Sequence, residues 1–389
     1  MHRRFAILLA MAVVLAAASA SPAAAQVRIG VVLSITGASS SQGGPQRNSI
    51  ALLPKEVGGQ SVEYIVLDDG TDSARAVAAT RKLIDEDKVD AVIGSTITPS
   101  SLAMIAVAAE RKVPMISLAT SSRVIMPMDE QRRWVFKTSQ NDSLMSDAIA
   151  KHMHKSGVRS VGFIGFSDSL GDGWLAEVTR ALGAWQVALV ATERFGRTDT
   201  DVSGQVQKVM AAKPDAVLIA GSGTPPVLPQ KALRERGYAG RYYQTHGVAN
   251  MDFVRAGGRD VEGTILPVGP VLVASQLPES HPAKALAEDY VSKYEAIYGA
   301  GSASTLGAYM FDAAIMLQSA IPAALLTAKP GTPAFRLALR DALETAYGLV
   351  LTNGVSEMTA DDHNGFDTRA HVMVTIVDGK WKLLPRNQQ

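Results

Sequence analysis

Cysteine is absent from the 389 residues. No disulfide can form in an oxidising compartment, and no lipid can be attached through an N-terminal cysteine. Charge imbalance is lacking too: 38 Lys and Arg face 37 Asp and Glu, a formal net charge of +1. That balance offers no general attraction to nucleic acid or to an anionic membrane surface, which call for a basic excess or a clustered basic face. Signatures of catalysis are missing as well. Ser167, in Gly165-Phe166-Ser167-Asp168-Ser169, lacks the second glycine of a nucleophile elbow. The stretch Gly221-Ser222-Gly223-Thr224-Pro225-Pro226 lacks the third glycine of a dinucleotide fingerprint, and no Walker loop occurs, so no cofactor is expected. His152 and His154 stand two apart on a predicted helix and point to different faces, which argues against a shared metal and for solvated surface. The Asp68-Asp69-Gly70-Thr71-Asp72 cluster resembles half a calcium loop, but Thr80 stands where the twelfth-position glutamate belongs; it reads as a polar turn and helix cap.

What is present begins with a leader. His2, Arg3 and Arg4 precede an apolar run over residues 5–18, and Ala23, Ala24 and Ala25 follow Pro22. The run is shorter than the roughly 20 residues that span a bilayer, and the alanines supply small residues for cleavage after Ala25. A secreted, soluble chain of residues 26–389 is the expectation, with net charge −1 once Arg3 and Arg4 are gone. That length exceeds what one hydrophobic core usually serves, so two domains are expected.

Past the leader, short β-branched runs alternate with helical patterns. Strands are predicted at 27–34, 62–67, 91–93 and 115–117, with helices at 74–85 and 100–110 between them. A second series runs through helices at 143–155, 174–182, 202–212 and 229–236 and strands at 161–164, 187–190, 216–219 and 242–245. Each helix carries the chain back to start the next strand in the same direction, so the pattern demands parallel pairing. The fold class is α/β, with two doubly wound parallel-sheet lobes. Three further helices, at 282–298, 305–325 and 333–346, have no strands between them, and the chain ends in a hairpin, 372–377 and 380–384, turning on Asp378-Gly379.

Open α/β sheets bind ligands beyond the carboxyl ends of their strands. Three such loops stand out: 37–45, with Ser39, Ser40, Ser41 and Gln42; 94–101, with Thr98, Pro99, Ser100 and Ser101; and 118–122, with Ala119, Thr120 and Ser121. In the second, Pro99 or Ser100 opens a helix, setting hydroxyls beside the unpaired N–H groups of its first turn. A carboxylate there gains the helix dipole and several charge-assisted hydrogen bonds without any basic side chain. Ordinary N-capping accounts for one hydroxyl but not for the cluster.

The chain resembles the type I periplasmic binding proteins of the leucine/isoleucine/valine-binding kind, and among them the aromatic-acid-binding branch. The resemblance rests on Ile29-Gly30-Val31-Val32 with Thr36-Gly37, Val92-Ile93-Gly94 leading into Thr98-Pro99-Ser100, Val113-Pro114-Met115-Ile116-Ser117, residues 168–173, Pro214-Asp215-Ala216-Val217, Tyr309 with Asp312, Asn364-Gly365 and Asp378-Gly379. It implies two lobes joined by three crossovers, residues 26–142 with 270–350 and residues 143–269 with 351–389. It further implies a ligand trapped by hinge closure and docking of the closed monomer on ABC permease subunits. The ligand carboxylate is then expected at Thr98, Ser100, Ala119, Thr120 and Ser121, with Ser41, Gln42 and Pro99 in the same wall.

Departures from the amino-acid binders lie in the second lobe. The family usually places an acidic residue against the ligand ammonium, and alignment on Gly247-Val248-Ala249-Asn250 puts His246 there. Two positions often aromatic in the family fall on Leu170 and on Ser222-Gly223. A buried ammonium without a carboxylate is costly to desolvate, so the expected ligand is an aromatic or other hydrophobic carboxylic acid lacking it, with a branched-chain or hydrophobic amino acid as the alternative. His246 would donate to a hydroxyl or second acidic group; making only backbone contacts is its plain alternative. The alternatives for the whole chain are a periplasmic sensory receptor and, third, a secreted hydrolase, for which the seven histidines show no nucleophile pairing in sequence.

Overall fold

The computed structural model describes residues 26–388, so the expected leader lies outside the described residues. The first sheet comprises β1 (Val27–Leu33), β2 (Glu56–Val57), β3 (Gln60–Asp68), β4 (Ala91–Gly94), β5 (Met115–Ser117) and β6 (Val135–Lys137), in the order β2-β3-β1-β4-β5-β6. All its pairs are parallel except β2 with β3. The chain then forms β7 (Ser160–Phe166), β8 (Ala188–Phe195), β9 (Ala216–Ala220), β10 (Arg241–Gln244) and β11 (Ile265–Val268), a small hairpin of β12 (Leu349–Leu351) and β13 (Gly354–Ser356), and β14 (Val372–Val377) with β15 (Lys380–Leu383). The second sheet runs β15-β14-β11-β10-β9-β7-β8, with β14 antiparallel to β11. Two doubly wound lobes result.

Strand β1 shows why the sheet is buried on both faces. Successive side chains point to opposite sides of a strand, and Val27, Ile29, Val31 and Leu33 enter one core with helices Thr305–Leu325 and Pro333–Glu344. Val32 enters the other, with helices Ser73–Asp85 and Thr98–Arg111. On that face Gly30 lets a helix come close: a Cβ there would lie 2.9 Å from Leu83 Cδ1. Helix Thr305–Leu325 is long and apolar enough to cross a membrane, but Tyr309, Met310, Ala313, Met316, Leu317 and Ile321 are buried in this core. Leu351 and Met358, beyond the expected lobe limit at 350, pack there too.

Local differences from the sequence expectations have physical causes. The segment expected as a Ser/Gly-rich loop forms helix Ser40–Ser49, with Pro45 inside it. Its composition is poor for a helix, and tertiary contacts decide: Ser49 Oγ donates to the Gly307 carbonyl at 2.8 Å, and Gly43 lies so close to Ser34 that a Cβ would meet its carbonyl oxygen at 2.1 Å. His152 is buried rather than solvated: its Nδ1 is 2.8 Å from the Tyr243 hydroxyl, and burial pushes its pKa down to about 4. The acidic turn is a cap, as expected: Asp72 accepts from Arg75 N, while Asp68 gathers Ile35 N, Thr36 N and Gly70 N.

The chain passes between the sheets after β6, after β11 and after β13, and these passages are tied together. Gln140 Nε2 donates to the Ala370 carbonyl at 2.8 Å, and the Tyr309 hydroxyl donates to Gln140 Oε1 at 2.9 Å. Asn364 Nδ2 donates to the carbonyls of Lys137 and Ser139. Asp312 holds the turn of the small hairpin, accepting from Thr352 N and Asn353 Nδ2; burial raises its carboxyl to about 6 against these bonds.

Candidate functional site

The strand order reverses beside β1 and β4 in the first sheet and beside β7 and β9 in the second, and such switch points open crevices at the carboxyl ends of the strands. The loops after these strands carry the candidate residues. Helix Thr98–Arg111 begins one residue before the expected Pro99, after Ile97, whose side chain cannot cap it. Thr98 is 2% exposed and Ser100 0%, and the hydroxyls of both lack a protein hydrogen-bond partner. Ser101 is different. Its Oγ accepts from Ser95 N and from Ser117 Oγ, which joins the second and third loops from within.

In the third loop, Ala119 and Thr120 turn their carbonyls inward, to Ser139 Oγ and to Lys137 Nζ at 2.9 Å. Ser121 is fully buried, and its hydroxyl donates to Asp142 Oδ2 at 3.0 Å, so that donor is committed. A Cβ on Gly173, in the opposing helix Ser169–Ala184, would stand 3.0 Å from the same Ser121 Oγ, so the two lobes meet here.

Across the rest of the divide, Gln42 Nε2 donates to Ser222 Oγ at 3.2 Å. Gly223 has φ +71, and a Cβ there would come within 2.8 Å of Ser41 Oγ, itself buried without a partner. Leu170 is 2% exposed and belongs to the second-lobe core with Trp174 and Phe166. His246 is fully buried, its ring 5.8 Å from that of Trp174, and neither ring nitrogen has a hydrogen-bond partner. The Gln140 backbone lies nearby without alignment for a normal hydrogen bond. Burial, and then the charge of Lys137, pushes His246 down to about 3, so it is a neutral imidazole able to donate one hydrogen bond and accept another.

Sequence reasoning missed several side chains here. Arg197, just past β8, pairs its Nε with Asp168 Oδ2 at 2.7 Å, lies over the Phe166 ring at 4.2 Å and donates from Nη1 to Ser222 Oγ at 3.2 Å. Its Nη2 is buried without a partner. Lys137, which ends β6, is completely buried, and Asp142 collects Ser121 Oγ, Ser122 N and Ser143 N. The strand-end rule that found the serine loops also applies to Arg197 after β8; Lys137 signals itself only as a cation in the short apolar run Val135–Lys137.

A surface groove of about 450 Å³, lined by Met251, Leu272, Val291 and Trp381 among others, contains none of the expected ligand residues. Among the described residues no group of three or more His, Asp or Glu is arranged to hold a metal ion.

The two lobes thus carry hydroxyl-bearing loops at their switch points. A family model described as periplasmic binding protein matches residues 26–380. The chain belongs to the periplasmic binding protein family. An extracellular ligand-binding receptor of Rhodopseudomonas palustris HaA2 is 44% identical, with a TM-score of 0.90 over 92% of this chain and 100% of that one. An amino acid binding protein of Pseudomonas aeruginosa is 24% identical over 273 residues, 67% of this chain and 72% of the relative. The solute binding protein of an ABC transporter from Rhodopseudomonas palustris BisB5, solved in complex with 3,4-dihydroxy benzoic acid, shares the fold at 21% identity and a TM-score of 0.76, covering 92% of this chain and 95% of its own. This periplasmic binding protein thus has the two-lobed α/β fold of the type I members, and it is a solute-binding protein.

Proposed function

We propose that this protein, cleaved of its leader and monomeric, captures a small hydrophobic carboxylic acid between its lobes in the periplasm and delivers it to the permease of an ABC importer, without catalysis or a cofactor. The observation that carries the reading is the pair of buried, unpartnered hydroxyls of Thr98 and Ser100 on the first turn of a helix. Leaving a buried hydroxyl unpaired costs about 1–3 kcal/mol, a cost that a bound carboxylate would remove while gaining the helix dipole.

The second lobe supports an acid without an α-ammonium. A neutral, fully buried His246 beside the charge of Lys137 gives an ammonium no counter-ion. Its free nitrogens suit a hydroxyl or carbonyl instead. Ser222 and Gly223 leave aromatic walls out of that loop, and Leu170 gives an apolar surface from the core. The aromatic acid held by the Rhodopseudomonas palustris BisB5 protein is of the class this reading favours.

The test is a melting-temperature screen followed by calorimetric titration with leucine, isoleucine, phenylalanine, benzoate and 3,4-dihydroxybenzoate. A ligand at a hundred times its Kd stabilises the native state by about 2.7 kcal/mol, which is a shift of several degrees. Binding of a benzoate-type acid, with leucine weaker, is expected. Micromolar leucine binding with no aromatic-acid binding overturns the ligand assignment.

A further inference from the structure

We infer that Lys137 is the hidden counter-charge of the bound acid, so that an anion seated on the 118–122 loop binds together with a proton taken up by this lysine. The inference rests on the reading of the cleft as a carboxylate receptor and adds the residue that selects for negative charge.

Lys137 closes β6 at the base of the divide and is 0% exposed. Its Nζ donates to two neutral acceptors, the carbonyls of Thr120 at 2.9 Å and Gln140 at 3.0 Å. Among the described residues no carboxylate lies within ion-pair distance of it, although Asp142 and Asp362 act on it from farther away. Asp142 faces it from the start of helix Asp142–Lys155, with its oxygens engaged by Ser121 and by the backbone of Ser122 and Ser143. Asp362 lies in the passage leading to β14. From the loop after β10 comes His246, which is neutral. His363 meets Lys137 only through its backbone carbonyl, its ring being turned to the Val135 carbonyl and Glu344.

A completely buried ammonium so arranged holds its proton weakly, and burial pushes its pKa down to about 7. Thr120 then links the two charges. Its carbonyl is polarised by Lys137, and the loop that carries it is the one expected to hold the ligand carboxylate. An anion there adds to the pull of Asp142 and Asp362, which already favour the protonated lysine from beyond ion-pair distance. In the ligand-free protein the proton leaves near neutrality; in the complex it stays to higher pH. Affinity for an acid ionised throughout should therefore fall as pH rises above 7, approaching tenfold per unit at the limit. A neutral amide of the same shape has no such dependence. His246 contributes nothing in this window, being neutral throughout.

The experiment is calorimetric titration of the full chain at pH 6, 7 and 8 with benzoate, 3,4-dihydroxybenzoate and isoleucine, each in phosphate and in Tris, whose ionisation heats differ. The expected result at pH 8 is uptake of about half a proton or more per acid bound. K137R, permanently charged, should bind without uptake, and K137M should lose tenfold or more in affinity for the acid but not for its amide. If none of these acids binds, the receptor reading fails and takes the inference with it. If an acid binds with no proton uptake and constant affinity from pH 6 to 8, or if uptake persists in K137R, the role of Lys137 is overturned while the receptor stands. Should K137M not fold, the wild-type proton count decides alone.

Discussion

Gln42 and Ser222 meet across the divide between the lobes, the carboxamide Nε2 donating to the hydroxyl at 3.2 Å over a sequence separation of 180 residues. Ser222 also receives Arg197 Nη1 at 3.2 Å, and Arg197 is fixed by Asp168. One serine therefore gathers a first-lobe amide and a second-lobe guanidinium. Replacing Gln42 by alanine should weaken ligand binding by about 1 kcal/mol, the net worth of one hydrogen bond, or roughly fivefold. Stopped-flow kinetics should show the loss mainly as faster release, since a contact made on closure opposes opening. Unchanged release in Q42A would remove the contact from the closing step.

Thr98→Ala and Ser100→Ala should each reduce affinity for the acid about tenfold, as hydrogen bonds to a charged group are worth about 1.5–3 kcal/mol. Ligand-free melting temperature should stay constant or rise, because each substitution removes a buried hydroxyl that has no protein partner. Calorimetry and thermal melts on the same samples check both halves. A fall in ligand-free stability with affinity intact would assign these hydroxyls to the fold rather than to the ligand.

His246→Glu should shift selectivity toward amino acids. A carboxylate at this position supplies the counter-ion an α-ammonium lacks and faces Lys137 as well. Isoleucine affinity is expected to gain tenfold or more, and benzoate affinity to fall. Equal changes for both ligands would show that His246 does not sense the ammonium.

Acid should destabilise the ligand-free protein through buried imidazoles. Burial pushes His152 down to about 4 and His246 to about 3, below the value of about 6.5 in an unfolded chain. Both groups favour the native state above that unfolded value, and the contribution is lost as pH falls through 6.5 towards 4, where the unfolded chain binds more protons. For His152 the loss is at most roughly 3 kcal/mol. Asp312 works in the opposite direction: its native pKa, raised to about 6, adds stability as pH falls from 6 to 4. The histidines are therefore best read by difference. Urea midpoints at pH 7 and 4.5 should converge less for wild type than for His152→Gln, and parallel changes in the two would refute the assignment.

Much of the architecture was legible because buried parallel strands read as short β-branched runs and their crossover helices carry a different period. Strand Met115–Ser117 and helix Thr305–Leu325 match the sequence reading to the residue. Strands β6, β12 and β13, of three residues each, went unread; Met115–Ser117 is as short but follows a crossover helix in the alternating series. Helix Ser40–Ser49 forms against its own composition through contacts to residues more than 240 positions away, such as Tyr290 and Gly307. At the site, the strand-end rule picked out Thr98, Ser100 and Thr120, and the family resemblance added Ser222. It gave no hint that Ser121 is tied to Asp142 or Ser101 to Ser117, because those ties depend on how two strands are spaced. Nor did it foresee Arg197 stacked on Phe166, which needs β7 and β8 side by side.

The most direct measurement is a crystal structure of the full chain grown with 3,4-dihydroxybenzoate. The expected density has the carboxylate on the first turn of helix Thr98–Arg111, within hydrogen-bond distance of the Thr98 and Ser100 hydroxyls and the Thr120 loop, and the ring directed toward His246 and Trp174. A ligand bound in the groove lined by Leu272 and Trp381, or one whose carboxylate sits against His246 with the two hydroxyls turned away, would contradict the account.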